Sequence, residues 1–291
     1  QRQMCIRDRA SIALILHALA KPGNGMWIED PGFPLIRPIV TRHDVEILPV
    51  PVDDNGLDIT SGIQNYPDAR FALITPAHQS PLGVALSLAR RHQILEWADR
   101  SQAWIIEDDY DSEFRYHGKP LPALKSLDAP QRVIYAGTFS KALFPALRCA
   151  WLVLPVKQIA QFRHQASLAP CAVPVLWQNT LADFLREGHF WRHLKKMRQH
   201  YAQRRQWIEQ ALTQQGFQVV PQKGGIQMVI RMIGDDIAHA RKANAAGLAV
   251  QALSDWRIRS SGEGGLLLSF TNIVNEGMAR QVAQQLRKAL S

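Results

Sequence analysis

The chain has 291 residues, 46% of them hydrophobic, with eight Trp and ten Phe, which allows one large α/β unit with a smaller lobe and a sizeable core. No apolar run approaches the ~20 residues of a membrane-spanning helix, nothing reads as a signal peptide, and Cys5, Cys149 and Cys171 are too scattered for a disulfide framework or a Cys-x-x-Cys metal site, so a reducing cytoplasm is the expected compartment. The net charge of +9 suits an acidic partner such as nucleic acid or an anionic small molecule.

Residues 1–9 are polar and charged and are set aside as a non-native or disordered start. A first helix is expected over Ser11–Lys21, ended by the turn Pro22-Gly23-Asn24-Gly25. Met26–Ile28 is a short strand that runs into Glu29-Asp30-Pro31-Gly32-Phe33-Pro34, where Phe33 either packs in the loop or stacks on a ring. Val45–Val52 is extended, Asp53–Gly56 is a polar turn, and Phe71–Pro76 is a buried strand leading to His78-Gln79-Ser80-Pro81-Leu82-Gly83. Ser87 caps a helix through Arg100, with Leu88, Leu95 and Ala98 toward the core.

Trp104–Ile106 is the next strand, and its end carries Glu107, Asp108 and Asp109. Three adjacent acids there are costly unless they meet a cation, a metal or water. A protonated ring nitrogen is such a cation, and a divalent metal is the alternative; no second acidic cluster or phosphate loop accompanies them, so no metal is expected. After the loop Pro120–Leu124, the strand Val133–Tyr135 leads into Gly137-Thr138-Phe139-Ser140-Lys141-Ala142-Leu143-Phe144-Pro145-Ala146-Leu147-Arg148, at the strand end where open α/β sheets place ligands. The Thr138 and Ser140 hydroxyls and Arg148 can hold phosphate oxygens, and Lys141 can attack an aldehyde once its amine is neutral. The apolar residues on both sides of Lys141 are expected to desolvate that amine in part, which lowers its pKa. Together these are the needs of pyridoxal 5'-phosphate.

The stretch Glu107-Asp108-Asp109-Tyr110-Asp111-Ser112-Glu113-Phe114-Arg115-Tyr116, followed by Gly137–Arg148, resembles the aminotransferase-like domain of the MocR regulators, a branch of the GntR family, from about Ser11 to the C-terminus. The resemblance implies an α/β fold of the fold-type I aminotransferases, with a large mixed-sheet domain, a smaller C-terminal α/β lobe and pyridoxal 5'-phosphate as cofactor. It implies that Lys141 forms the Schiff base, that Asp108 pairs with the ring nitrogen so that the ring acts as an electron sink, that Tyr110 bonds the 3'-oxygen, and that His78 lies near that oxygen. Three positions depart from the family. Phe33 stands where tyrosine is usual. Arg7–Ala10 stand where a small-residue and glutamine loop binds the phosphate. Glu263 stands at or near the arginine that grips a substrate carboxylate, with Arg257 and Arg259 close by as substitutes.

Further along, Cys149–Leu154 is a strand, Gln158–Ser167 a helix, and Pro170 and Pro174 bracket a hinge into a helical region, Leu176–Gln215. Its basic stretch, His189–Arg205, carries the apolar stripe Phe190, Leu194, Met197, Tyr201 and Ile208, which reads as a solvated or interface helix rather than a nucleic-acid reader. Phe217–Val220, Gln227–Met232 and Leu266–Phe270 are strands, and Asp235–Ala246 and Glu276–Leu290 are helices. The expected division is a start at 1–9, a large cofactor-binding domain at 10–175, incomplete at its N-terminus, and an interdomain helix with a small domain at 176–291.

The function these features imply is a cofactor-binding effector domain that senses a small amine or amino-acid ligand. It would act as a cytoplasmic homodimer and touch DNA only through a winged helix that this chain does not carry. A site of this kind can turn over or only sense, so a free-standing class I/II aminotransferase is the alternative. A degenerate dimerisation module without cofactor is the third reading, resting on the changed phosphate loop.

Overall fold

Runs of Val, Ile and Leu bounded by turn residues form a central sheet buried on both faces. The computed structural model describes residues 2–5, 8–168, 173–259 and 262–291, with no side-chain account for 2–5 and 8; Cys171 and Pro170 lie outside the described residues. In chain order the first elements are β1 (Arg2–Cys5), α1 (Asp8–Leu19), β2 (Gly25–Asp30), α2 (Arg37–Arg42), β3 (Glu46–Asp53), β4 (Gly56–Leu57), α3 (Ile59–Asn65), β5 (Phe71–Ile74), α4 (Leu88–Arg100), β6 (Trp104–Asp109), β7 (Val133–Thr138) and β8 (Ala150–Val153). Their strands make one eight-stranded mixed sheet in the order β1-β8-β7-β6-β5-β2-β3-β4. The pairs β3–β2, β2–β5, β5–β6 and β6–β7 are parallel, while β8, β1 and β4 join antiparallel.

Side-chain alternation sends the strand residues into two cores. On one face Ile28, Leu73, Ile106 and Ile134 meet Ile12, Ile15 and Leu16 of α1 and Phe162. On the other, Trp27, Ala72, Ile74 and Ile105 meet Ile94 and Trp97 of α4, with the Trp27 and Trp97 rings stacked 3.8 Å apart. Both faces are therefore closed, as a parallel sheet requires.

The remaining elements are α5 (Ile159–Leu168), α6 (Val175–Arg186), α7 (His189–Gln214), β9 (Gln227–Met232), α8 (Asp236–Ala245), β10 (Val250–Ala252), β11 (Gly264–Ser269) and α9 (Glu276–Leu290). A second, three-stranded antiparallel sheet, β10-β11-β9, packs through Met228, Ile230, Leu266 and Leu268 on Ile208 and Leu212 of α7 and on Ala279, Ala283 and Leu286 of α9.

Several expectations change. Residues 2–5 form an edge strand on β8, and α1 begins at Asp8, ahead of the expected Ser11. Ser87 caps α4 by accepting from the Arg90 amide, but Leu88, at the first helical position, is 63% exposed; Arg91, Ile94, Leu95, Trp97 and Ala98 face inward instead. Phe217–Val220 contributes only a bridge from Val219 to Ile230, and β10 is a strand that the short sequence Val-Gln-Ala does not announce.

Candidate functional site

Strand order reverses at β2, which has β3 on one side and β5, reached later in the chain, on the other; the crevice at such a switch point is where α/β sheets hold ligands. The carboxyl ends of β2, β5, β6 and β7 deliver Glu29, Thr75, Asp108 and the turn after Thr138 to that crevice. Above them lies a cavity of about 510 Å³, bounded by Lys141, Ser140, Arg148, Asp108 and Tyr110 on one side and by Phe33, Ile226, Gln227, Gln251 and Trp256 on the other.

Alternation along β6 separates the three adjacent acids. Glu107 is buried and accepts from the Leu124 and Lys125 amides at 2.7 and 2.8 Å, and burial pushes its carboxyl up to about 7. Asp109, on the same side of the strand, accepts from the Ser112 hydroxyl and from Tyr135, both at 2.8 Å, and burial raises its pKa as well. Asp108 faces the other way, into the cavity. Two of the three carboxylates are thus taken up by loop and hydroxyl donors of their own side of the strand, and the third, Asp108, lines the cavity.

The turn after β7 is built by its own hydroxyls. Thr138 is buried, accepts the Ser140 amide at 3.0 Å and donates to the Ser140 hydroxyl at 2.9 Å, so it shapes the turn and does not line the cavity as the sequence reading expects of a phosphate donor. Gly137 leaves room for the indole of Trp151, whose ring atoms would lie 2.3 Å from an added Cβ. Arg148 lines the cavity from a left-handed backbone, φ 49°, a conformation that side chains other than glycine seldom adopt. Lys141 is exposed at the cavity wall; the partial desolvation expected from its apolar neighbours is not supplied by this chain, because Phe144, Pro145 and Ala146 turn outward with it.

His78 does not line this cavity. Its Nδ1 lies 3.2 Å from the Tyr110 hydroxyl and 3.1 Å from buried Asp111, so it supports Tyr110 from behind and borders a smaller cavity of about 180 Å³ with Asp111 and Arg198. The member of its loop that reaches the main cavity is Ser80. Burial, followed by the charge of Asp111, pushes the Tyr110 hydroxyl well above the ordinary tyrosine range, so it stays a donor. Phe33 lines the cavity and tilts against Trp256, ring centres 5.6 Å apart.

The structure places neither Arg257 nor Arg259 at the cavity. Asp30, at the end of β2, accepts from the Ile258 and Arg259 amides at 2.8 and 3.0 Å, which fixes that segment and turns both guanidiniums away. Arg257 donates to the Glu263 carbonyl and Arg259 to the Tyr66 hydroxyl. Glu263 is exposed and pairs with Arg231 at 3.4 Å. Among the residues sequence reasoning missed are Arg9, which lines the cavity although the sequence reading sets residues 1–9 aside, and Glu29, Thr75, Ser80, Gln227, Gln251 and Trp256. Only the position of Glu29 and Thr75 at strand ends could have signalled any of them. Among the described residues no group of three or more His, Cys, Asp or Glu is placed to hold a metal, and no helix is long and apolar enough to cross a membrane.

Residues 8–262 match the model of the family "Aminotransferase class I and II". The chain belongs to this family. Its cofactor is pyridoxal 5'-phosphate, and the cavity fits that molecule: a carboxylate for a cationic ring nitrogen, an amine for the aldehyde, and a hydroxyl with a guanidinium for the phosphate. Over 97% of its length this aminotransferase-family chain is 33% identical to the "Probable rhizopine catabolism regulatory protein MocR" of Rhizobium meliloti, and covers 57% of it. It is 31% identical, also over 97%, to the "HTH-type pyridoxine biosynthesis transcriptional regulator PdxR" of Corynebacterium glutamicum, covering 61% of that protein. To the HTH-type regulator YdeL of Bacillus subtilis it is 40% identical over 68% of the chain, which is 42% of YdeL. The chain thus spans about half the length of these relatives. Its fold is that of the aminotransferases: a kynurenine aminotransferase of Pyrococcus horikoshii superposes with a TM-score of 0.89 at 24% identity, over all of this chain and 74% of the other.

Proposed function

We propose that this chain is the effector domain of a MocR-type transcription regulator, which binds pyridoxal 5'-phosphate at Lys141 and senses a small amine or amino-acid ligand. The observation that carries the reading is the convergence of Lys141, Asp108, Tyr110, Ser140 and Arg148 on one cavity, in a chain that matches two regulators over 97% of its length. When bound, the cofactor supplies an aldehyde and an electron-accepting ring. Lys141 would offer its amine to that aldehyde, and as an amine at the cavity wall it is the group placed to move a proton. Asp108 keeps a ring nitrogen protonated through a charge-assisted hydrogen bond, Tyr110 donates from its protected hydroxyl, and Ser140 and Arg148 hold the phosphate. Phe33 and Trp256 bound the opposite side, where a ligand's own side chain would lie.

In this reading the large cofactor-binding part runs to about residue 175, and residues 176–291 form the helix and small lobe that can close over the ligand. Closure affects attached DNA-binding domains only if the ligand favours one of two states. The chain acts as a homodimer in the cytoplasm, with DNA contacted through a separate winged helix. Phe144, in the turn after Lys141, and Leu176 and Trp177 on α6 are large apolar side chains left exposed, as a chain that pairs with a second copy would present.

The test is to mix the chain with pyridoxal phosphate, reduce with borohydride and map the product by peptide mass spectrometry. One adduct, on Lys141, is expected; scattered labelling or none overturns the cofactor site. A winged helix and linker encoded immediately upstream is expected of a regulator, and its absence there would favour a free-standing aminotransferase.

A further inference from the structure

Glu29 is a buried carboxylate at the end of β2 for which the chemistry above has no use. Its Oε1 accepts from the Thr75 amide at 3.1 Å, and its Oε2 accepts from the Thr75 hydroxyl at 2.6 Å and from the Gln79 amide nitrogen at 3.2 Å. That Gln79 nitrogen also donates to the carbonyls of Pro31 and Ser80 at 2.9 and 2.8 Å, and the Ser80 amide donates to the Thr75 hydroxyl oxygen at 3.1 Å. Glu29 therefore ties the loop that carries Phe33 to the loop that carries Ser80. Glu29, Thr75, Ser80 and Asp108 all border one narrow cleft under the main cavity.

We propose that Glu29 is a positioning residue for this site: taking up a proton reverses its hydrogen bond with Thr75, and so changes both the charge and the donor set beside Asp108. The proton comes from solvent, and only hydrogen bonds rearrange. Ionised, Glu29 accepts the Thr75 hydroxyl hydrogen. Protonated on Oε2, it donates to the second lone pair of the Thr75 oxygen, whose first is occupied by the Ser80 amide, and the Thr75 hydrogen is free to turn into the cleft. Burial pushes the Glu29 carboxyl up to about 7, against the pull of its three donors, so the exchange falls near neutral pH. The charged and titratable groups around it do not pin its charge. Asp108 and Tyr110 come from β6 and the residue after it, and neither is a cation. Asp30, next on the strand, is bound to the Ile258 and Arg259 amides, and Arg37, whose charge Asp30 favours, donates to the Trp256 carbonyl.

The inference rests on the cofactor reading only in one of its two tests. Without cofactor, the infrared difference between the wild-type chain and Glu29→Gln should contain a carboxyl band that disappears with a midpoint near pH 7; a band already absent at about pH 5 overturns the proposal, whether or not cofactor binds. With pyridoxal phosphate, wild-type affinity should gain about fivefold more than that of Glu29→Gln between about pH 6 and pH 8, because only the wild type acquires a charge beside the cationic ring. Equal gains overturn it. Gln suits the protonated arrangement, since its amide can donate to Thr75 while Gln79 keeps its two carbonyls. If Glu29→Gln does not fold, Thr75→Val against Thr75→Ser makes the same decision: without the hydroxyl that donates to the ionised Glu29, its ionisation moves above this pH range, so the extra gain should survive in the serine variant and be lost in the valine variant, and its persistence in valine overturns the proposal. A wild type that binds no pyridoxal phosphate sinks the cofactor-binding function and leaves the infrared result to decide the role of Glu29.

Discussion

The two sides of the cavity are made in different ways. Asp108, Tyr110, Ser140, Lys141 and Arg148 come from two short stretches at the ends of neighbouring parallel strands, β6 and β7. The facing side draws Phe33 from the loop after β2, Ile226 and Gln227 from the start of β9, Gln251 from β10, and Trp256 from the turn after it. The first side is held by a ladder of backbone hydrogen bonds and short turns. The second is held by docking contacts across the chain: the Gly32 amide and the Arg37 guanidinium both bind the Trp256 carbonyl, at 3.0 and 2.6 Å, and the Trp256 indole donates to Gln251 at 3.0 Å. A wall of the first kind resists local change, whereas one of the second kind can loosen as a unit and so can respond to a ligand.

The difference can be pressed experimentally. Lys141→Ala should abolish the borohydride-trapped adduct while leaving the thermal transition in place, because the side chain is exposed; an unchanged adduct would break the assignment of the strand-end wall. Trp256→Ala, at a residue only 4% exposed, should lower unfolding free energy by about 3–5 kcal/mol in urea titrations and weaken retention of any bound amine. Asp108→Asn, which keeps the shape and removes the charge, should cost about 1.5–3 kcal/mol of cofactor affinity, roughly ten- to a hundredfold by equilibrium dialysis, with stability little changed.

Glu113 sharpens the contrast through pH. Burial, then the charge of Asp109, raises its carboxyl from 4.5 to about 7, so the folded state holds the proton more tightly than the unfolded state does. Its ionisation therefore costs stability as pH rises through that window, and none of this cost exists below it. Glu113→Gln should gain on the order of 1 kcal/mol at pH 8 and nothing at pH 4, read from denaturant midpoints. Smallest of all, Arg259→Ala should change stability by less than about 0.5 kcal/mol and leave cofactor affinity untouched, since its guanidinium donates to the Tyr66 hydroxyl on the surface, away from the cavity. A tenfold loss of affinity would return Arg259 to the site.

How much was legible follows the same division. The strand-end wall could be read because parallel strands place consecutive residues at a ligand crevice, and a lysine, an acid and hydroxyls in that setting have few other uses. Even there, alternation decided which acid faces the cavity, and Thr138 turned inward to build its own turn. His78 was legible as a polar residue of the right loop, but Asp111 holds it one layer back and leaves Ser80 in front.

The sequence alone determined the α/β pattern, the lysine turn and the acidic strand end, because these depend on hydrophobic runs and on neighbours a few residues apart, while the family resemblance singled out Asp108 among the three acids. Tertiary structure decided the rest. Asp30 captures the amides of a segment 228 residues away and thereby removes Arg257 and Arg259 from the site, while Trp256 and Gln251 enter it. No local pattern encodes such a contact, since the strength of a hydrogen bond to a buried carboxylate depends on where the chain brings its donors and not on their separation in sequence.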